Sequence, residues 1–168
     1  MANTYSLISS STLSSSAASV TFSSIPSTYT DLVLRVSMRS DAASGQEVIY
    51  INPNGLTTNQ SSTVIEGNGT SGAGSNRTTK IETRGTGNTA TSNTFSSSET
   101  YIPNYASATI HPISNFGAGE NNNTAVVMNA VASLWNSATA ITSFTITIGI
   151  GTNILTGSSF YLYGIKNS

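Results

Sequence analysis

Leu32-Val33-Leu34-Arg35-Val36-Ser37-Met38-Arg39 decides the fold class of this chain. Leu32, Leu34, Val36 and Met38 recur at every second position, and Arg35, Ser37 and Arg39 fill the places between them. A period of two puts the first set on a dry face and the second on a wet one, as in a half-buried β-strand. On a helix the same apolar residues would scatter around the axis. The segment is therefore expected to be a strand.

Downstream, Glu47 to Ile51 predicts a second strand that ends at the turn Asn52-Pro53-Asn54-Gly55, with Ser62 to Glu66 returning from it. Glu99 to Ile102 is strand-like but stops at Pro103, which fits an edge strand or a bend better than a central strand. Thr124 to Trp135 alternates imperfectly and reads as one long strand, with a helix as the alternative because of its alanines. In Ser143 to Ile150 the residues Phe144, Ile146, Ile148 and Ile150 are expected to face inward and the threonines outward. Phe160 to Ile165 alternates again, and weaker segments occur at Tyr5–Leu7 and Val20–Phe22. The expectation is an all-β, jelly-roll-like antiparallel sandwich of about eight strands, forming a single domain over residues 1–168.

Composition agrees. Of 168 residues, 30 are Ser, 25 Thr, 17 Asn and 14 Gly, so half the chain is small, polar and uncharged. Disorder would combine low hydrophobicity with high net charge. Here 37% of residues are hydrophobic and the net charge is -1, which favours a folded protein with a hydroxyl-rich surface. Charged residues make up 8%, far below the ~25% of an average domain, so no electrostatic footprint points to nucleic acid or an anionic membrane. The start, Met1 to Tyr5, has no basic region followed by an apolar run, so no secretory signal is expected. No apolar stretch approaches the ~20 residues of a membrane-spanning helix.

One region stands apart. From Gly67 to Ser98 only Ala73, Ile81, Ala90 and Phe95 are hydrophobic, four of 32 residues. This predicts a long polar excursion with at most one short strand, at Thr78–Thr83. It holds Arg77, Lys80 and Arg84, half of the six cations, and these are candidate partner-contact residues against the alternative of a simply solvated loop. Tyr161 and Tyr163 are further candidates. They share a face opposite Phe160 and Leu162, and tyrosine tolerates the half-burial of a protein–protein contact. Cover from within the same subunit is the competing explanation.

Catalytic chemistry has little material. Gly67 to Gly72 matches G-x-G-x-x-G, but no helix signal follows to present its N-terminus to a phosphate. His111 is the single histidine, no G-x-S-x-G elbow occurs, and a structural or surface role is expected for it. One histidine without cysteine cannot assemble a usual zinc set, and no calcium-loop pattern occurs. Asp31, Asp41, Glu47, Glu66, Glu82, Glu99 and Glu120 are dispersed, although a pair across a cleft could serve glycoside hydrolysis if the fold joined two of them. The four glycosylation-type sequons are no more than this Asn, Ser and Thr content yields by chance. The chain is expected to have no catalytic site, no metal and no cofactor.

The residues also carry a resemblance. Thr4 to Ile8, Leu13 to Pro26, Tyr29 to Leu34, Tyr101 to Tyr105, Leu134-Trp135, Ala140 to Ser143 and Ser159 to Ser168 resemble small jelly-roll virion proteins of marine and cyanobacterial tailed phages. The resemblance implies a virion structural protein. The expected role is a capsid decoration, or cement, protein on the outer capsid surface, made in the host cytoplasm. Its partners would be the major capsid protein and itself, as a homotrimer. The alternative is a tail-fibre or receptor-binding domain that contacts a glycan or protein of the host surface. Decoration is favoured because no shaft or coiled coil accompanies the domain in this sequence.

Overall fold

The computed structural model describes residues 4–77, 79–120 and 126–166, and none of these is helical. Twelve strands follow one another: β1 (Tyr5–Thr12), β2 (Val20–Phe22), β3 (Asp31–Ser37), β4 (Gln46–Pro53), β5 (Gln60–Gly67), β6 (Gly72–Arg77), β7 (Glu82–Thr86), β8 (Ser97–Ile102), β9 (His111–Glu120), β10 (Val126–Trp135), β11 (Phe144–Ile148) and β12 (Ser159–Ile165). They form an eight-stranded sheet in the order β1-β12-β3-β8-β9-β10-β5-β6 and a four-stranded sheet in the order β2-β11-β4-β7. Every ladder between these strands is antiparallel. The molecule is an all-β, jelly-roll-like sandwich.

The deciding segment behaves as its period requires. Leu32, Leu34, Val36 and Met38 are at most 4% exposed and share one core cluster with Ile49, Ile51, Phe144 and Ile146 of the smaller sheet. Each buried side chain of this size contributes roughly 1.5–3 kcal/mol relative to leaving it in water. The turn after β4 forms as read, with Asn54 at φ 51° and Gly55 at φ 70°. Asn54 also ties that turn to the chain leading into β11, because its Oδ1 accepts the N–H groups of Thr142 and Ser143.

Several expectations are corrected. Among the described residues there are twelve strands rather than about eight, and residues 67–98 are not one polar excursion. β6 adds to the free edge of β5, and β7 forms the edge of the smaller sheet beside β4. The one short strand expected at Thr78–Thr83 is replaced by these two, with Thr78 itself outside the described residues. Ile81 is fully buried, and the segment after β7 is pinned by Arg39. That guanidinium donates to the carbonyls of Thr91 (2.7 Å), Asn88 (2.8 Å), Ala90 (2.9 Å) and Thr94 (3.2 Å). Arg39, expected on the wet face, is therefore buried. Its charge is spread over four carbonyl acceptors, which offsets the cost of leaving water.

β8 is central, between β3 and β9, because Pro103 lies one residue past its end and removes no ladder hydrogen bond. Ile150 lies beyond β11 and is exposed. The long segment ending at Trp135 is a strand over its described part, Val126–Trp135. Its imperfect alternation has a cause on each face. Val127, Asn129, Val131, Ser133 and Trp135 point inward, while Val126, Met128, Ala130 and Ala132 point outward, so both faces mix small and apolar residues.

Under β9, β10 and β5 the interior is polar. Thr100 Oγ1 donates to Asn115 Oδ1 and Asn115 Nδ2 to Ser133 Oγ, which is hydrogen-bonded to Ser62 Oγ at 2.8 Å. Where β7 crosses β9, the chains touch at Gly117. A Cβ there would fall 2.3 Å from Thr83 Oγ1 and 2.9 Å from the Arg84 nitrogen.

Candidate functional site

Antiparallel register carries one row of side chains straight across the outer face of the larger sheet. Tyr161 pairs with Arg35, Arg35 with Glu99, Glu99 with Phe116, Phe116 with Ala130, and Ala130 with Ile65. Because neighbouring strands hold these residues directly opposite one another, the row is set by backbone hydrogen bonding and needs no loop to position it. Ile65 is 64% exposed and Phe116 51%, and Val126 and Met128 beside them are also exposed. A row of this kind on the outside of a sandwich is surface that the subunit itself leaves uncovered.

Arg35 is the centre of its electrostatics. Its Nε donates to Glu99 Oε2 at 2.8 Å, and its guanidinium carbon lies 5.8 Å and 5.9 Å from the ring centres of Tyr163 and Tyr5. The hydrogen bond to Glu99 is the main reason that the arginine is held even more firmly protonated than usual. Tyr161 stacks beside Tyr163, with centroids 6.5 Å apart. Arg35, Glu99, Phe116, Tyr161 and the serines at 37 and 97 line an open groove of about 590 Å³. Such a groove offers flat apolar rings beside one paired cation and anion, so it can accept a neutral, weakly polar surface.

The sequence-predicted residues fall in separate places. Tyr161 and Tyr163 lie on this face as read, Tyr161 exposed and Tyr163 half-buried beneath Tyr5 and Arg35. Arg77 ends β6, and its side chain is outside the described residues. Lys80 lies in the segment before β7, its Nζ 5.3 Å from the ring centre of Tyr50 on β4. Arg84 is mostly buried and bonds Glu66, with Nε to Oε2 at 2.6 Å. Lys80 and Arg84 therefore do not join the tyrosines in one surface, because β7 carries its segment to the other sheet.

Arg35, Glu99, Phe116 and Ile65 were not among the expected contact residues. The available signal was the run of Val126, Met128, Ala130 and Ala132 on the outward-facing set of β10, apolar where a solvated face would be polar.

His111 is 1% exposed, stacks on Trp135 at 5.4 Å, and holds the Thr139 carbonyl through Nε2 at 3.0 Å. It is a core histidine. Two carboxylates do come together, Asp41 and Glu47, both bordering Gly151. Glu47 is fully buried and accepts the N–H groups of Val48, Gly149, Ile150 and Gly151 and the Ser40 hydroxyl. Asp41 accepts N–H groups from Asn153 and Thr152, with the Asn153 side chain as a further donor, and these hold it below the usual aspartate range. Both acids are committed to shaping the loop after β11. Among the described residues, no three His, Cys, Asp or Glu side chains gather as a metal site.

Neither a family model nor a curated protein matches the chain. Among solved structures it is similar to exo-inulinase from Aspergillus awamori, at 12% identity and a TM-score of 0.49, over 96% of this chain. The chain spans 29% of that protein's length.

Proposed function

We propose that this protein is a non-enzymatic structural protein of a tailed-phage virion, a capsid decoration protein that binds the outer shell and stabilises it as a homotrimer. The observation that carries this reading is the outer face of the larger sheet, a rigid surface of apolar and hydroxyl side chains whose exposed charge pair cancels. Binding would act by mass action, since any surface that holds only the assembled shell shifts the equilibrium toward it. The low charge makes such contacts less sensitive to salt than ion pairs would be. The resemblance to small phage virion proteins supplies the setting, and the buried state of His111 and Glu47 supports a role without turnover. Density for this fold on the capsid exterior of intact particles would support the reading; density at the tail would refute it.

The second reading is a receptor-binding domain of a tail fibre. It is favoured by the groove between Arg35 and Phe116, whose volume lies within the ~300–1,000 Å³ of small-ligand sites. In that case particles without the protein would keep their stability and lose adsorption to cells.

A further inference from the structure

We infer that the outer face of the larger sheet is the surface through which copies of this chain bind one another, with an open strand edge of one copy laid on the face of the next in a closed ring. The inference deepens the oligomeric part of the proposed function and rests on that part alone; it is independent of the virion setting.

Three observations select a second copy as the occupant. The first is area. Eight strands at ~4.8 Å spacing and ~3.3 Å per residue make the face roughly 35 Å by 20 Å, enough to seat the ~26 Å length of an eight-residue edge strand of a second copy.

The second is charge. Arg35 and Glu99 pair with each other in the middle of the face, and the Glu120 carboxylate, which accepts the Thr91 N–H, stands at the rim, so the centre of the face bears no strong field of one sign. An identical, nearly neutral chain meets it without like-charge repulsion, whereas a strongly acidic or basic partner finds nothing to recognise.

The third is that the same molecule carries an exposed counterpart. β1 and β6 end the larger sheet, and the eight residues of β1, Tyr5-Ser6-Leu7-Ile8-Ser9-Ser10-Ser11-Thr12, contain neither charge nor proline, the register shift between Leu7 and Ser9 being an irregularity in its ladder. An edge-on-face contact covers both liabilities at one interface. Being heterologous, it closes into a ring when the rotation per copy allows, which is how a trimer would form.

The test is sedimentation equilibrium of the full chain, from low to high micromolar concentration, for wild type, Ile65→Lys, Phe116→Glu and the control Leu56→Lys. Ile65 and Phe116 are exposed in the isolated subunit, so the charged substitutions should leave the fold intact, as far-UV circular dichroism would verify. Leu56 is exposed outside this face, in the turn after β4. Wild type and Leu56→Lys should sediment as a multiple of 17.4 kDa, and each face variant should associate at least ~30-fold more weakly. Hydroxyl-radical oxidation of Met128 in the wild type provides a readout that needs no variant, and it should slow as the protein associates. A wild type that stays monomeric up to millimolar concentration overturns both the oligomer and the interface. A wild-type oligomer that survives both folded face variants, or leaves Met128 equally oxidised, overturns the interface alone.

Discussion

Arg35 and Glu99 stand directly opposite each other on β3 and β8, joined at 2.8 Å, and form an exposed charge pair in the middle of the outer face of the larger sheet. Both side chains remain about half exposed, at 55% and 47%. An ion pair in that setting contributes ~1 kcal/mol or less to the fold of one subunit. Arg35→Ala and Glu99→Ala should each shift the urea midpoint only slightly. Arg35→Glu should instead weaken association between copies, because it sets two carboxylates side by side on the face. A large loss of monomer stability in Glu99→Ala would contradict this assignment.

Arg39 is the opposite case. It is buried, and its planar fork reaches four carbonyls of the segment after β7. Lysine keeps the charge but cannot reproduce that geometry, so buried carbonyls would lose donors. Arg39→Lys should cost roughly 2–4 kcal/mol and raise amide exchange in residues 88–94 before it affects β3. Equal exchange in both proteins would show that the segment is held by something else.

Gly117 marks the point where β7 crosses β9 closely enough to exclude a methyl group. Gly117→Ala should destabilise the protein by about 1–3 kcal/mol through overpacking. The effect should appear in the denaturation midpoint with an unchanged slope. A neutral result would mean that β7 can withdraw from the larger sheet.

Much of this fold is legible in the residues, and the illegible parts have physical reasons. Leu32 to Met38 and Phe160 to Leu162 alternate because one face meets a dry core. β6, Gly72-Ala73-Gly74-Ser75-Asn76-Arg77, has no alternation to find, since it forms where β5 offers an unpaired edge of backbone donors and acceptors. β7 conceals itself differently. Its Thr83 approaches Asn129, in an interior already made polar by Asn115, Ser133 and Ser62, so its buried positions do not look buried. The tyrosines at 161 and 163 were readable as a shared face. The partners that complete it, Phe116 and Ile65, come from strands distant in sequence, and only the ladder register brings them into line.

Asp41 gives the protein an acid-sensitive loop. Hydrogen bonds from Asn153 and Thr152 lower its pKa in the folded state below the ordinary aspartate value near 4. Its contribution is therefore fully present above that ordinary value and disappears as pH falls through the lowered one. Asp41→Asn should remove this part of the acid-side decline. The check is the urea midpoint of both proteins, followed from neutral pH into the acid range. Parallel profiles would mean that the loop after β11 does not depend on the Asp41 charge.

Capsid decoration stands or falls on the temperature at which particles release their DNA, compared with and without this protein. Decoration predicts that particles lacking it release DNA at a lower temperature, and that adding the purified wild-type protein restores the original value. Particles that release DNA at an unchanged temperature without the protein, but fail to adsorb to cells, would contradict decoration and favour the receptor-binding reading.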